Sequence, residues 1–171
     1  KHLQLYQNDH DDNSPIAGIN HLPQLEHLLL HDQSIKGELD VSNSPMLKTV
    51  RLVTIDCKVR GISQLSSLQN LELWGIDLVD RIDFSNLPQL VSLELGAISD
   101  FDIRICNLNA LTKLEDLFLS KDTTGSTLDV SSLTKLKYLD FTANQKLTTV
   151  FGLEHLKDIQ SLDFQFAGIT H

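Results

Sequence analysis

Leu87-Pro88-Gln89-Leu90-Val91-Ser92-Leu93-Glu94-Leu95 is a phrase that the chain repeats along its length, with leucines at steps of three, three and two. The same spacing starts at Leu22 (Leu25, Leu28, Leu30), Leu65 (Leu68, Leu71, Leu73), Leu111 (Leu114, Leu117, Leu119) and Leu133 (Leu136, Leu139, Phe141). A degraded version starts at Ser44 (Leu47, Val50, Leu52) and Leu156 (Ile159, Leu162, Phe164). The N-terminal end carries only the tail of the phrase, Leu3 and Leu5. Aligned on the apolar pair two residues apart, the repeats follow at intervals of 25, 22, 21, 22, 24, 22 and 23 residues.

Two leucines separated by one residue point the same way from an extended strand. One short strand cannot bury that side alone, so it needs the strands of adjacent repeats. Parallel strands stacked one per turn make a continuous sheet, and the Leu-x-x-Leu step brings the return inward on a helical or 3-10 turn. Each buried leucine contributes roughly 1.5–3 kcal/mol, so stacking carries the stability. Pro23, Pro45 and Pro88 share one phase, where a proline starts a turn without losing a needed N–H.

The returns alternate between two kinds. One reads Leu39-Asp40-Val41-Ser42, Ile82-Asp83-Phe84-Ser85 and Leu128-Asp129-Val130-Ser131. The other reads Ile16-Ala17-Gly18-Ile19, Val59-Arg60-Gly61-Ile62, Ile103-Arg104-Ile105-Cys106 and Val150-Phe151-Gly152-Leu153. The first kind alternates apolar and polar residues, which predicts a short outer extended segment with its Ser as cap of the next turn. The structural unit is then a pair of repeats of roughly 45 residues.

A period in the low twenties with this leucine phrase resembles the leucine-rich repeat, in particular the roughly 22-residue internalin-like type of bacterial proteins. The expected fold is an α/β solenoid: a right-handed coil with a parallel concave sheet of about eight strands and short helical, 3-10 or extended convex returns. Residues 1–171 read as one such domain. With no polar cap visible at either end, the chain reads as a segment of a longer protein or as a unit that stacks end to end. The resemblance implies a non-enzymatic recognition module, secreted or displayed on the cell surface. The position three after the second strand leucine is commonly Asn in the family. Here it is Asn8, Gln33, Ile55, Ile76, Ile98, Asp122, Asn144 and Ala167. Ile cannot bond backbone, so irregular, water-filled turns are expected in the central repeats.

Composition narrows the function. Hydrophobic residues make up 41% of the chain, enough for a core. No apolar run approaches the roughly 18 residues of a membrane span. A net charge of −9, from 14 Lys+Arg against 23 Asp+Glu, disfavours nucleic acid and anionic membranes and favours a basic protein partner. Cys57 and Cys106 fall where neighbouring repeats carry apolar residues and read as buried thiols.

No glycine-rich phosphate loop, Gly-x-Ser-x-Gly elbow or His-Glu-x-x-His stands in the sequence, so no catalytic residue is assigned and no cofactor is expected. The run Asn8-Asp9-His10-Asp11-Asp12-Asn13 offers oxygen ligands but lacks the glycine and distal Glu of an EF-hand, and reads as a solvated loop. His27 and His31, four apart, flank a strand rather than a helix and face the same side; a metal pair is conceivable there but is the minor reading, and no metal is assigned. No Asn-x-Ser/Thr acceptor is present.

If the strand leucines point inward, their neighbours face out on the concave sheet. The central row is Gln4, Leu29, Arg51, Glu72, Glu94, Phe118, Asp140, Asp163. Beside it run a row from His2 through Tyr138 to Ser161 and a row from Tyr6 through His31 and Trp74 to Gln165. The only Trp and both Tyr fall on these rows. Exposed aromatics beside a column of carboxylates suit a basic partner with an apolar ridge, although strands favour aromatics whatever they bind. The candidate partner-binding residues are Leu29, His31, Arg51, Glu72, Trp74, Glu94, Phe118, Tyr138 and Asp140. A second reading makes the chain the targeting arm of a larger enzyme whose catalytic domain lies outside it. A third is self-association through the uncapped ends.

Overall fold

The computed structural model describes residues 1–5, 19–31, 37–55, 58–98, 105–121, 124–165 and 167–169. Tyr6, the 8–13 acidic run and Cys57 lie outside the described residues.

The first residue of each apolar pair sits on a strand, and the second does too except Phe141 and Phe164, which follow directly: His2–Leu5, His27–His31, Thr49–Val53, Asn70–Trp74, Ser92–Gly96, Asp116–Ser120, Tyr138–Asp140 and Ser161–Asp163. The eight strands form one sheet, and their order in space is their order in the chain. Every pairing is parallel and joins equivalent positions: Leu28↔Val50, Val50↔Leu71, Leu71↔Leu93, Leu93↔Leu117 and Leu117↔Leu139. The alternation is strict where it matters. Leu28, Leu30, Val50, Leu52, Leu71, Leu73, Leu93, Leu95, Leu117 and Leu119 are all buried, while the residues between them are not.

The Leu-x-x-Leu step closes a turn. Its last N–H donates to its first carbonyl at 3.0 Å in Leu25→Leu22, 2.9 Å in Leu68→Leu65, 3.1 Å in Leu90→Leu87 and 3.0 Å in Leu114→Leu111. A 3-10 turn stands ahead of it at Ile62–Gln64, Phe84–Asn86, Leu108–Ala110 and Leu153–His155. The outer side carries small parallel sheets of two or three strands, such as Glu38–Asp40 with Lys58–Arg60 and Asp77–Leu78. The outer extended segment is therefore not confined to the first kind of return, because Lys58–Arg60 and Thr149–Phe151 of the second kind are also strands.

The two kinds of return interlock. In the first kind the cap is the Asp rather than the Ser. Asp40, Asp83 and Asp129 accept from the backbone N–H of Ser42, Ser85 and Ser131 at 2.9, 3.0 and 2.9 Å. Hydrogen bonds from the serines hold the Asp83 and Asp129 carboxyls below the usual carboxylate range. In the second kind a left-handed residue opens the 3-10 turn: Gly61 (φ 87°), Asn107 (φ 59°) and Gly152 (φ 85°). A Cβ at Gly61 would stand 2.5 Å from the Ser42 backbone nitrogen, and one at Gly152 would stand 2.3 Å from Ser131 Cα. Each glycine thus seats its turn on the Asp-x-Ser turn of the preceding repeat. Asn107 takes the same place and donates from Nδ2 to Asp83 Oδ1 at 2.9 Å. The two-repeat period seen in the sequence is this nesting.

The turns after the sheet strands correct the expectation of irregularity. Thr54, Gly75, Ala97, Lys121 and Ala143, each two residues after the second strand apolar residue, are all left-handed, with φ of 52–61°. Each N–H crosses to the carbonyl of the next repeat: Thr54→Trp74 at 2.8 Å, Gly75→Gly96 at 2.9 Å, Ala97→Ser120 at 3.4 Å, Lys121→Thr142 at 3.4 Å and Ala143→Gln165 at 2.8 Å. Backbone therefore does what the missing asparagines would do. Ile55, Ile76 and Ile98 are released into the core, each 5% exposed or less. Asn144 keeps the polar role: it is fully buried, donates to the carbonyls of Leu119 and Phe141, and accepts from Thr124 N–H.

Candidate functional site

Strand register places the central row on the open face of the sheet as one ladder: Leu29, Arg51, Glu72, Glu94, Phe118, Asp140 and Asp163, each opposite the next. His31, Val53, Trp74, Gly96 and Ser120 form the parallel row toward the strand ends. Because the spacing between strands is about 4.8 Å, neighbours in a row touch or stack. Most of these residues are half-buried by one another, and Tyr138 is 40% exposed.

The best-defined feature is Trp74. Its Nε1 donates to Glu94 Oε1 at 2.8 Å. Its six-membered ring fills the space that a side chain at position 96 would need, since a Cβ there would lie 2.6 Å from Trp74 Cε3. Lys121 Nζ lies over the indole, 5.2 Å from the ring centroid. A floor, a hydrogen bond and a cation thus fix the orientation of the ring, although the side chain stays partly exposed.

Next to it the charges are crowded. Arg51 Nε bonds Glu72 Oε2 at 2.9 Å. Glu72 and Glu94 are register partners. Burial, and then the neighbouring Glu94 charge, push the Glu72 carboxyl upward against the pull of Arg51. Arg51, Glu72 and Glu94, with Leu29, Asn70 and Ser92, line a shallow depression of about 200 Å³. Leu29, His31 and Arg51 line a second of about 210 Å³.

Farther along, the ladder does different work. Asp140 Oδ1 accepts from Thr142 N–H at 2.6 Å, and Asp163 Oδ1 from Gln165 N–H at 2.8 Å. Each carboxylate ends its strand with a local turn, so only part of its hydrogen-bonding capacity faces outward. Tyr138 donates to Gln160 Oε1 at 3.0 Å, beside the strand rather than across the row. Asp116, in the row before the centre, has its carboxyl pushed up by burial and by Glu115.

The structure brings Leu29, His31, Arg51, Glu72, Trp74 and Glu94 together on four consecutive strands of the open face, with Phe118 next on the ladder and Tyr138 and Asp140 one strand beyond. His27 meets His2 rather than His31: the rings stack at 4.3 Å between centroids. Burial and the His2 charge pull His27 downward. Among the described residues no group of three or more His, Cys, Asp or Glu is placed to hold a metal ion. Cys106 is a free, half-buried thiol whose Sγ lies 3.6 Å from the Ile82 carbonyl. Two residues of the site escaped the sequence reading. Gly96 shares its row with Trp74 but is not among the candidate residues, and a glycine opposite the Trp on the next strand was the signal. Lys121 lay outside every row, because its left-handed backbone is not legible in a lysine.

No protein-family model and no curated protein sequence matches the chain. Among solved structures, the chain is similar to a leucine-rich repeat protein of Leptospira interrogans, with a TM-score of 0.53 at 16% identity over 97% of this chain. The chain spans about half of that structure's length, 55%. The fold is that of leucine-rich repeat proteins.

Proposed function

We propose that this leucine-rich repeat coil is a protein-binding module whose concave sheet receives a basic partner with an apolar ridge. Contact falls on Leu29, His31, Arg51, Glu72, Trp74 and Glu94 first, and on Phe118, Tyr138 and Asp140 along the ladder. The observation that carries this reading is Trp74, a large aromatic held in one orientation on an open sheet face by Glu94 and Gly96. A half-exposed indole on a rigid platform supplies apolar area to a partner at little entropic cost. The surrounding carboxylates favour Lys or Arg on the other side and repel acidic proteins. The fold itself generally serves protein interaction, and binding rather than turnover is the role assigned here.

Trp74→Ala and Phe118→Ala, made separately, test the reading against a partner isolated by affinity capture and then purified. Trp74→Ala is expected to weaken binding about 10-fold or more, and Phe118→Ala about 5-fold. Met46→Ala, an exposed apolar change off this sheet, is the control and leaves affinity unchanged. Full affinity in folded Trp74→Ala and Phe118→Ala proteins removes the concave assignment.

A further inference from the structure

We propose that Trp74, Glu94 and Glu72 form a receptor for one cationic side chain of the partner, preferentially an arginine, and that Lys121 is its built-in competitor. The inference rests on the concave-sheet reading and specifies its centre.

Trp74 is set up as a cation platform. Its N–H is committed to the Glu94 carboxylate, which raises electron density on the indole and fixes the plane of the ring. Lys121 Nζ already sits over that ring, at 5.2 Å from the centroid, so the chain itself marks the position as one that takes a cation. The lysine reaches it from the turn just past the Asp116–Ser120 strand, from a backbone at φ 56°.

Charge is short of balance at the same spot. Two adjacent carboxylates, Glu72 and Glu94, face one ion-paired guanidinium, Arg51. Burial, and then the Glu94 charge, push the Glu72 carboxyl upward against the pull of Arg51 and His31. The depression that both carboxylates line offers about 200 Å³, and it meets the indole only through Glu94, which lines it and accepts from the Trp74 N–H.

Lys121 is a weak occupant. It is exposed, its ammonium is strongly hydrated, and it holds no flat surface against the ring. A guanidinium stacks on an indole and bonds a carboxylate with two donors at once, which an ammonium cannot do. An incoming arginine therefore displaces Lys121, and the lysine sets a threshold that an ammonium ligand does not pass.

The probe is a tetra-arginine peptide, with tetra-lysine as comparison, titrated by calorimetry and by emission of the single Trp. Lys121→Ala is expected to tighten tetra-arginine binding about three-fold, the size of an exposed cation–π contact. Lys146→Ala is the charge-matched control: it changes net charge equally, from an exposed turn, and leaves affinity unchanged. Trp74→Leu and Glu94→Gln weaken binding, and tetra-arginine shifts Trp emission more than tetra-lysine does. Equal tightening in Lys121→Ala and Lys146→Ala would show general charge attraction and overturn the competitor. If Trp74→Leu still weakens binding in that case, the concave reading survives. Tetra-arginine binding untouched by Trp74→Leu, Glu94→Gln and Phe118→Ala would sink both.

Discussion

At the scale of single residues, the open face is built by near neighbours that constrain one another. Gly96 is the clearest case. Its missing side chain is the space in which the Trp74 ring lies. Gly96→Ala pushes the indole off its floor and out of reach of Glu94, at a stability cost of about 1 kcal/mol. The expected sign is a red-shifted Trp emission in a protein whose circular dichroism is unchanged; unshifted emission contradicts the packing described. Glu72 makes a second prediction. Its carboxyl is raised in the folded state, so its favourable contribution is complete below the unfolded value and is lost as pH rises through the folded value. At neutral pH the charged group is therefore a liability that Arg51 only partly offsets. Glu72→Gln is expected to raise Tm at pH 7, with the gain shrinking as pH falls toward 4. A gain that grows toward acid pH would reverse the sign and refute the assignment.

The elements of this coil are turns as much as strands, and the turns separate what the sequence reveals from what it hides. Strand phase is open to reading, because leucine spacing is a direct record of which side is buried. The rows of the concave face followed from the same phase, with Trp74, Glu72 and Glu94 in their observed places. The left-handed ladder was hidden, since Thr54, Ala97 and Lys121 are not residues that advertise positive φ. The Asp cap was mistaken for a Ser cap, since both residues suit the role and only geometry tells which accepts. Backbone strain gives this level its predictions. Thr54 is β-branched at φ 52°, so Thr54→Gly relieves strain and is expected to stabilise by roughly 0.5–1 kcal/mol in urea unfolding. Gly152→Ala and Gly75→Ala divide conformation from contact. Both are left-handed, but an added methyl meets nothing within 4 Å at Gly75 and the Ser131 backbone at 2.3 Å at Gly152. Gly75→Ala should cost about 1 kcal/mol and Gly152→Ala roughly 2–4 kcal/mol. Equal costs would mean that the two repeat types do not nest as described.

For the whole molecule, parallel pairing in chain order means that each repeat is held mainly by the repeats on either side of it. Stability is then a sum of neighbour contacts, and the position of a defect along the coil decides how far it spreads. Leu93 is fully buried between Leu71 and Leu117, whereas Leu162, on the last strand, is 43% exposed. Leu93→Ala should cost roughly 2–5 kcal/mol, and Leu162→Ala less than about 1 kcal/mol. The spread matters more than the size. A cavity at Leu93 loosens contacts on both sides, so amide exchange should quicken in Asn70–Trp74 and Asp116–Ser120 as well as in Ser92–Gly96. Those strands carry Glu72, Trp74, Glu94 and Phe118, so a mutation that touches no ligand should also weaken binding at the concave face. Exchange that quickens in Ser92–Gly96 alone would show the repeats to be independent, and a rigid platform for Trp74 would then need another source.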